Sequence, residues 1–196
     1  MIGIPLLLSA AVSICADNMT SPPEKESHFA GNTHEFFAIK TNVVPWAAGI
    51  MNVACEMQLW NSFSVSVPLW WSPYFISRKY ALRTFTIQPE LRYWLKATGL
   101  GHFFGVHPGL SWYNLRYKDI RYQDSGRPLL NIGVSYGYSL RINDCLNAEF
   151  SIGAGYVNTR YDRFYNIHNG ARIDTRQTSY WGIDRVELNL VYHFSL

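Results

Sequence analysis

From Phe36 onward, apolar residues recur at every second position in one segment after another. The stretch LNIGVSYGYSL at 130–140 is the clearest case, because Leu, Ile, Val and Tyr alternate there with Asn, Gly and Ser. Successive side chains of a β-strand point to opposite faces, so a period of two predicts strands with one apolar and one polar face. Helical periodicity is absent. The chain is therefore predicted to be all-β.

The alternation divides into eight segments, and the connections between them differ in length. Short turns lie near Asn61, near Gly99 and at 143–145, whereas long polar connections lie at 72–82, 116–128 and 159–181. The first connection, PWAAG at 45–49, is also short. Short turns that alternate with long loops are typical of an antiparallel up-and-down meander that closes as an eight-stranded β-barrel.

The composition of the polar face separates a soluble barrel from a membrane barrel. Charged residues make up 16% of the chain, against about 25% in a typical soluble domain. The polar positions are mostly Gly, Ser and Asn, and the opposite face is continuously aliphatic or aromatic. This pattern predicts a transmembrane barrel with lipid outside and a polar, side-chain-filled lumen.

The few long charged residues on the polar face balance in sign. An eight-stranded barrel is only wide enough inside for side chains to fill it, and removing one partner of a buried ion pair costs about 3–5 kcal/mol. We therefore predict a salt-bridged lumen network; the alternative is a coincidental balance on a solvated surface. Its members are Lys40, Arg92, Arg141 and Arg185 with Glu56, Glu90, Glu149 and Glu187.

Large aromatic residues gather toward the predicted strand ends, where Trp and Tyr anchor membrane proteins at the lipid–water interface. The predicted aromatic girdle comprises Trp70, Trp71, Tyr93, Trp112, Tyr138, Tyr156 and Trp181, with Tyr113 and Tyr180 nearby. Pro89 lies inside a strand of a barrel that has no free edge, so we predict a bulge or one unmade ladder bond there.

The N-terminal segment MIGIPLLLSAAVSICADN is too short to span a bilayer and is typical of a secretory signal. We predict a signal peptide at 1–16, a flexible lead-in at 17–35 and the barrel at 36–196. The two remaining cysteines, Cys55 and Cys145, fall on opposite faces and are expected to be unpaired. A net charge of +3 without a basic run argues against nucleic-acid binding.

No set of residues has the spacing of a metal or cofactor site, so neither is predicted. His102, His107 and His193 are expected to be polar residues of the lumen. His168 lies in the longest connection with Asp162, Asp174 and Ser179, which are the residue types of a hydrolase or acyltransferase site. The alternative is a polar surface loop, and no catalytic residue is assigned.

Five motifs in order resemble a known family: FAIKTNVV, QPELRYWL, GHFFGVH, GVSYGYSL and NAEFSIGAGY. It is the family of small outer-membrane proteins of Bacteroides-type bacteria catalogued as domain of unknown function 3575. The resemblance covers roughly residues 36 to 194. It implies an outer-membrane β-barrel and no established activity, ligand or catalytic residue.

We therefore expect a small protein of the outer membrane of a Gram-negative bacterium, with a structural or surface-interaction role and no enzymatic activity. Its expected partners are outer-membrane lipid, lipopolysaccharide and the barrel-assembly machinery. Three alternatives stay open: an enzyme of lipid A acyl chemistry that uses the longest outer loop, a very small pore, and a soluble ligand-binding barrel.

Overall fold

The computed structural model describes residues 36–47, 49–73, 80–167 and 170–194. The predicted signal peptide (1–16) and lead-in (17–35) lie outside the described residues. Within the described ranges, no helix has the length and apolar content needed to cross a membrane.

The described residues form ten β-strands and one short helix. In chain order these are β1 (Phe37–Asn42), α1 (Val43–Ala47), β2 (Met51–Trp60), β3 (Phe63–Ser72), β4 (Tyr80–Ile87), β5 (Glu90–Trp94), β6 (Gly101–Tyr117), β7 (Ile120–Asp124), β8 (Leu129–Arg141), β9 (Leu146–Tyr165) and β10 (Arg172–Phe194).

The strands pair antiparallel and close into a ring. Neighbouring strands are joined in the order β1, β2, β3, β4 with β5, β6, β8, β9 and β10. The last strand pairs with the first, from Phe37 opposite Phe194 to Asn42 opposite Asn189. Strands β4 and β5 count as one wall position, because both lie between β3 and β6. The predicted all-β fold with eight antiparallel positions is confirmed.

The wall strand made of β4 and β5 is interrupted at Gln88 and Pro89. Its register to β6 is the same on both sides of the gap, with Ile87 opposite Leu110 and Leu91 opposite Val106. No residue is inserted, so the structure has no bulge there. The ladder is interrupted at the proline, as the alternative prediction states, because proline has no N–H to donate.

Three regions differ from the predicted layout. The first connection contains α1, which the sequence pattern does not predict, because five residues are too few to display a helical period. Connection 116–128 contains β7. The predicted loop 159–181 is mostly strand, because β9 runs to Tyr165 and β10 starts at Arg172. The walls β6, β7, β9 and β10 therefore extend well beyond the rest of the ring.

The two cysteines behave differently. Cys55 is free and exposed on β2. Cys145 is disulfide-bonded, so the prediction that it is unpaired is wrong. The alternation of faces along a strand does not apply to Cys145, because this residue lies in the turn between β8 and β9.

Candidate functional site

Seven of the eight charged residues predicted for the interior come together inside the ring. They are buried, with at most 3% of each residue exposed. They reach the interior from β1, β2, β5, β9 and β10, because each occupies an inward position of its alternating strand. We call this set the interior charge cluster: Lys40, Glu56, Glu90, Arg92, Glu149, Arg185 and Glu187.

Arg92 lies at the centre of the interior charge cluster. Its Nε lies 2.5 Å from Oε2 of Glu90, and its Nη1 lies 2.9 Å from Oε2 of Glu149 and 3.1 Å from Oε2 of Glu56. Its guanidinium also lies 4.4 Å from the ring centroid of Phe103. Arginine suits this position because its planar fork donates in several directions at once.

The other two cations, Lys40 and Arg185, form ion pairs with the glutamates that surround Arg92. Lys40 forms ion pairs with Glu56 and, at 2.6 Å, with Glu149. Arg185 places Nη2 3.2 Å from Glu90 and 2.8 Å from Glu187. Each of the four glutamates therefore contacts at least one cation, which compensates much of the cost of removing the charges from water.

Arg141 does not belong to this cluster. It is the last residue of β8 and is exposed, and no ion pair found among the described residues includes it. Its position in the alternation points inward, but the end of a strand opens to the surroundings. The prediction that Arg141 joins the network is therefore wrong.

Asp184 and His107 form a second buried pair that the sequence did not predict. The Nε2 of His107 lies 3.0 Å from Oδ2 of Asp184, and both side chains are at most 2% exposed. The register of β10 shifts between Ile183 and Arg185, so Asp184 and Arg185 both reach the interior. The sequence carries a signal of this shift. Apolar residues of β10 occupy odd-numbered positions up to Ile183 and even-numbered positions from Val186 onward.

The interior of the ring is filled. Glycines make room for the long side chains; a Cβ at Gly105, for example, would collide with Glu90 and Ser135. A cavity of about 10 Å³ remains beside Lys40, Trp70 and Glu187, which is at most the space of one water molecule. This cavity beside the cluster is therefore too small to hold a substrate.

Most residues of the predicted aromatic girdle lie on the outer face of the ring, but one lies inside it. Trp71, Tyr93, Trp112, Tyr138 and Trp181 are exposed on the outer face, with fractions from 39% to 77%. Tyr156 packs against Trp181 in a tilted arrangement, with ring centroids 5.0 Å apart. Trp70 instead lines the interior cavity, so its assignment to the girdle is wrong. Adjacent residues of a strand face opposite sides, so Trp70 and Trp71 cannot both face outward.

Among the residues that the structure describes, the remaining candidates do not come together in one reactive site. His102 lies on the outer face, where its Nδ1 is 2.7 Å from the hydroxyl of Tyr136, so its predicted interior position is wrong. His193 contacts Phe36. The described residues contain no group of three or more His, Cys, Asp or Glu residues that could hold a metal ion.

Asp162, Asp174 and Ser179, the described loop residues of a hydrolase type, are also separated. Asp162 lies opposite Thr175, whereas Asp174 lies opposite Arg163. Because residues 162 and 163 are adjacent in β9, the two aspartates are on opposite faces of the β9–β10 hairpin. Ser179 is exposed further along β10, and His168 lies outside the described residues.

Comparison with known proteins gives one match. Neither the curated proteins nor the solved structures contain a significant match to the chain. A family model covers residues 24–194, which is most of the chain and the whole ring of strands. The chain therefore belongs to the family described as protein of unknown function DUF3575.

Proposed function

We propose that this protein is an eight-stranded transmembrane β-barrel of a Gram-negative outer membrane, with a structural or surface-interaction role and no catalytic activity. The observation that carries the proposal is the inverted distribution of polarity. On β8, Ile132 and Val134 are 58% and 63% exposed, whereas Ser135 and Ser139 are buried. Exposed aliphatic side chains around a buried polar interior suit lipid outside the ring.

The dimensions of the outer face support this proposal. Two aromatic belts flank the aliphatic band: Phe63, Tyr93, Phe104 and Tyr136 on one side, and Trp71, Phe85 and Trp112 on the other. On β6, Phe104 and Trp112 are eight residues apart, which is about 26 Å along a strand. A tilt of about 40° reduces this to about 20 Å, near the height of the apolar band of outer-membrane barrels.

The arrangement of connections suggests the orientation. The turns after β2, β5 and β8 lie at one end, together with the start of β1 and the end of β10. The long extensions of β6, β7, β9 and β10 lie at the other. Outer-membrane barrels have short periplasmic turns and longer extracellular connections, so we place the extended hairpins outside the cell.

The filled interior argues for a structural or surface role over a pore. The interior charge cluster occupies the cross-section, and its ion pairs run between distant walls. The extended walls form a strand-paired surface beyond the proposed membrane band, which suits binding at the cell surface. Asp162 and Asp174 face opposite sides of that hairpin, so they do not support the enzymatic alternative.

Membrane fractionation combined with gel mobility tests the proposal. We expect the protein in the outer-membrane fraction, with a faster-migrating folded band that converts to the unfolded position on boiling. Planar-bilayer conductance should stay near zero. Recovery in the soluble periplasm would reject the membrane assignment, and steady conductance would reject the sealed interior.

A further inference from the structure

The extended part of β10 has a strand partner on one side. Its ladder to β9 runs from Arg172 to Tyr192, whereas its ladder to β1 runs from Asn189 to Phe194. Among the described residues, no strand pairs with the second side of β10 between positions 172 and 188. A sheet edge presents unpaired backbone N–H and C=O groups, and another extended chain can pair with them.

The helix α1 covers the junction of β10 with β1 and ends close to it. It directly follows Asn42, whose Oδ1 accepts a hydrogen bond from the N–H of Leu188. Its five residues rise about 7.5 Å, which corresponds to about two positions along a strand. Residues 174–180 lie farther from the junction than α1 reaches. We call this stretch the free edge of β10.

Alternate residues of the free edge present their backbone groups to the open side. The carbonyl of Arg160 accepts a hydrogen bond from the N–H of Ser125, beside β7, so the backbone of the next residue, Tyr161, points to β10. Tyr161 lies opposite Arg176, and the backbone of Arg176 therefore points back to β9. The residues on either side of Arg176 point away from β9. The N–H and C=O groups directed to the open side are those of Thr175, Gln177 and Ser179.

The free edge of β10 is regular along its whole length. Natural sheet edges are often blocked by a proline or interrupted by a bulge. The free edge contains no proline, and its register to β9 is constant from Asp174 to Ile183. Its two charged side chains, Asp174 and Arg176, form an ion pair, so no run of like charge repels an incoming strand. The stretch is therefore a template for one more strand.

The outward side chains of the free edge indicate what can lie beside them. Thr175, Gln177 and Ser179 are exposed and uncharged. On neighbouring strands, β-branched and hydroxyl side chains make favourable cross-strand pairs with such residues. An added strand with Val or Thr at alternate positions therefore fits this side.

The inward side of the free edge favours an acidic neighbour. Asp174 accepts hydrogen bonds from both Arg163 and Arg176, so one carboxylate serves two arginines, and the Arg176 side chain is 55% exposed. The carboxylate of Asp124 is two strands away, because Tyr161 lies between Asp124 and Arg176. Two strand spacings are about 10 Å, whereas a residue on an added strand would be about 5 Å from Arg176.

A second copy of this chain does not fit the free edge. Two copies in one membrane point the same way, so their β10 strands cannot pair antiparallel. A copy in a facing membrane has the opposite direction. Antiparallel pairing about Gln177 would then place Gly170 of one copy beside Asp184 of the other, which is buried inside the ring. The fitting occupant is therefore a segment of a different polypeptide.

We propose that the free edge of β10 binds an extended segment of another polypeptide outside the cell, as one more antiparallel strand with an acidic side chain beside Arg176. Backbone hydrogen bonds give an added strand its affinity, and side-chain contacts give it specificity. The inference rests on the proposed membrane position and surface-interaction role, and it names the class of partner for that role.

The experiment uses the full-length mature protein in phosphatidylcholine nanodiscs and a fluorescent peptide, Thr-Val-Glu-Val-Thr-Val-Glu-Val-Thr. Its valines form one face of a strand, and its threonines and glutamates form the other. We expect saturable binding by fluorescence anisotropy. The same peptide N-methylated along its length keeps every side chain but has no backbone donor, so its affinity should be lower by about tenfold or more.

A pair of variants at one position tests the free edge from the side of the protein. Gln177→Pro removes a backbone donor on the open side and leaves the ladder to β9 intact, so affinity should fall by about tenfold. Gln177→Ala keeps the N–H and should bind within about twofold of the wild type. Amide hydrogen exchange of β9 verifies that the hairpin persists in both variants. Equal binding by Gln177→Pro, equal binding of the N-methylated peptide, or no binding by the folded wild type would overturn the inference.

A lysine peptide tests the acidic preference. With both glutamates replaced by lysine, affinity should fall by about threefold, which is the scale of an exposed ion pair, and in Arg176→Gln this difference should disappear. Equal affinity of the two peptides for the wild type would overturn the acidic assignment. Self-association without peptide that is lost in Gln177→Pro would assign the free edge to a second copy and overturn the proposed partner.

The two proposals fail in different ways. If the wild-type protein does not fold into nanodiscs with heat-modifiable mobility, the membrane assignment is wrong. If it folds and inserts but does not bind the glutamate peptide, the membrane assignment stands and the inference about the free edge is wrong.

Discussion

Arg92 of β5 and Glu149 of β9 contact each other across the interior, with Nη1 of Arg92 2.9 Å from both carboxylate oxygens of Glu149. Their strands are separated by β6 and β8 around the ring. The contact therefore ties together walls that no backbone ladder joins directly. Arg92 makes similar contacts to Glu56 of β2, so one side chain connects three parts of the ring.

Arg92→Met should be the most damaging single substitution in the interior. It removes the cation shared by Glu56, Glu90 and Glu149, and leaves an excess of buried negative charge. We expect the free energy of unfolding to fall by about 3–5 kcal/mol, as measured by urea unfolding in phospholipid vesicles.

Arg141→Met is the matched control, because it removes the same charge at an exposed strand end. We expect a change within about 0.5 kcal/mol. Equal losses in the two variants would contradict the central role of Arg92.

A second prediction concerns the interrupted ladder between β4, β5 and β6. The constant register places Pro89 directly opposite Pro108. The N–H of Gln88 donates to Pro68 on β3, so the backbone groups of the next residue point to β6. Neither proline has a backbone N–H to donate at this position. Pro108→Val should therefore restore one hydrogen bond between the strands and raise the free energy of unfolding by about 0.5–1.5 kcal/mol. A lower unfolding midpoint in vesicles would show that the gap is required by the fold.

A simple alternation predicts the interior of each strand, and it fails where a strand ends or shifts its register. Glu149 and Glu187 lie well inside their strands, where a period of two fixes the direction of every side chain. Arg141 lies where β8 ends, and Asp184 lies where β10 shifts its register. Alternation assumes an uninterrupted strand, so it misassigned Arg141 and missed Asp184.

The extended hairpins were missed for a different physical reason. In Arg172–Tyr180 nearly every residue is exposed, because neither face of the hairpin covers a core. Without burial there is no requirement for apolar residues at alternate positions, so the segment has the composition of a loop.

The turn between β6 and β7 provides a third prediction. Lys118 has a φ of 55°, in the left-handed region that Asn tolerates and a β-branched residue does not. Lys118→Asn should preserve or slightly raise stability, whereas Lys118→Val should lower it by roughly 1–2 kcal/mol. Amide hydrogen exchange of β7 reports the difference locally, and equal protection in the two variants would contradict the expected strain.

The last prediction is a loosening of the β9–β10 hairpin in acid. The Arg163 guanidinium donates from Nε and Nη2 to Asp174 at 2.6 and 2.8 Å, and Arg176 donates to it at 2.9 Å. These contacts lower the pKa of Asp174 from 3.8 to about 2. A lowered pKa in the folded state means that the stabilisation is fully present above pH 3.8 and is lost as the pH falls through about 2. Hydrogen exchange of Arg172–Gln177 should therefore accelerate, relative to intrinsic rates, between about pH 4 and pH 2, and Asp174→Asn should remove that dependence. A dependence that persists in Asp174→Asn would assign the loosening to another group.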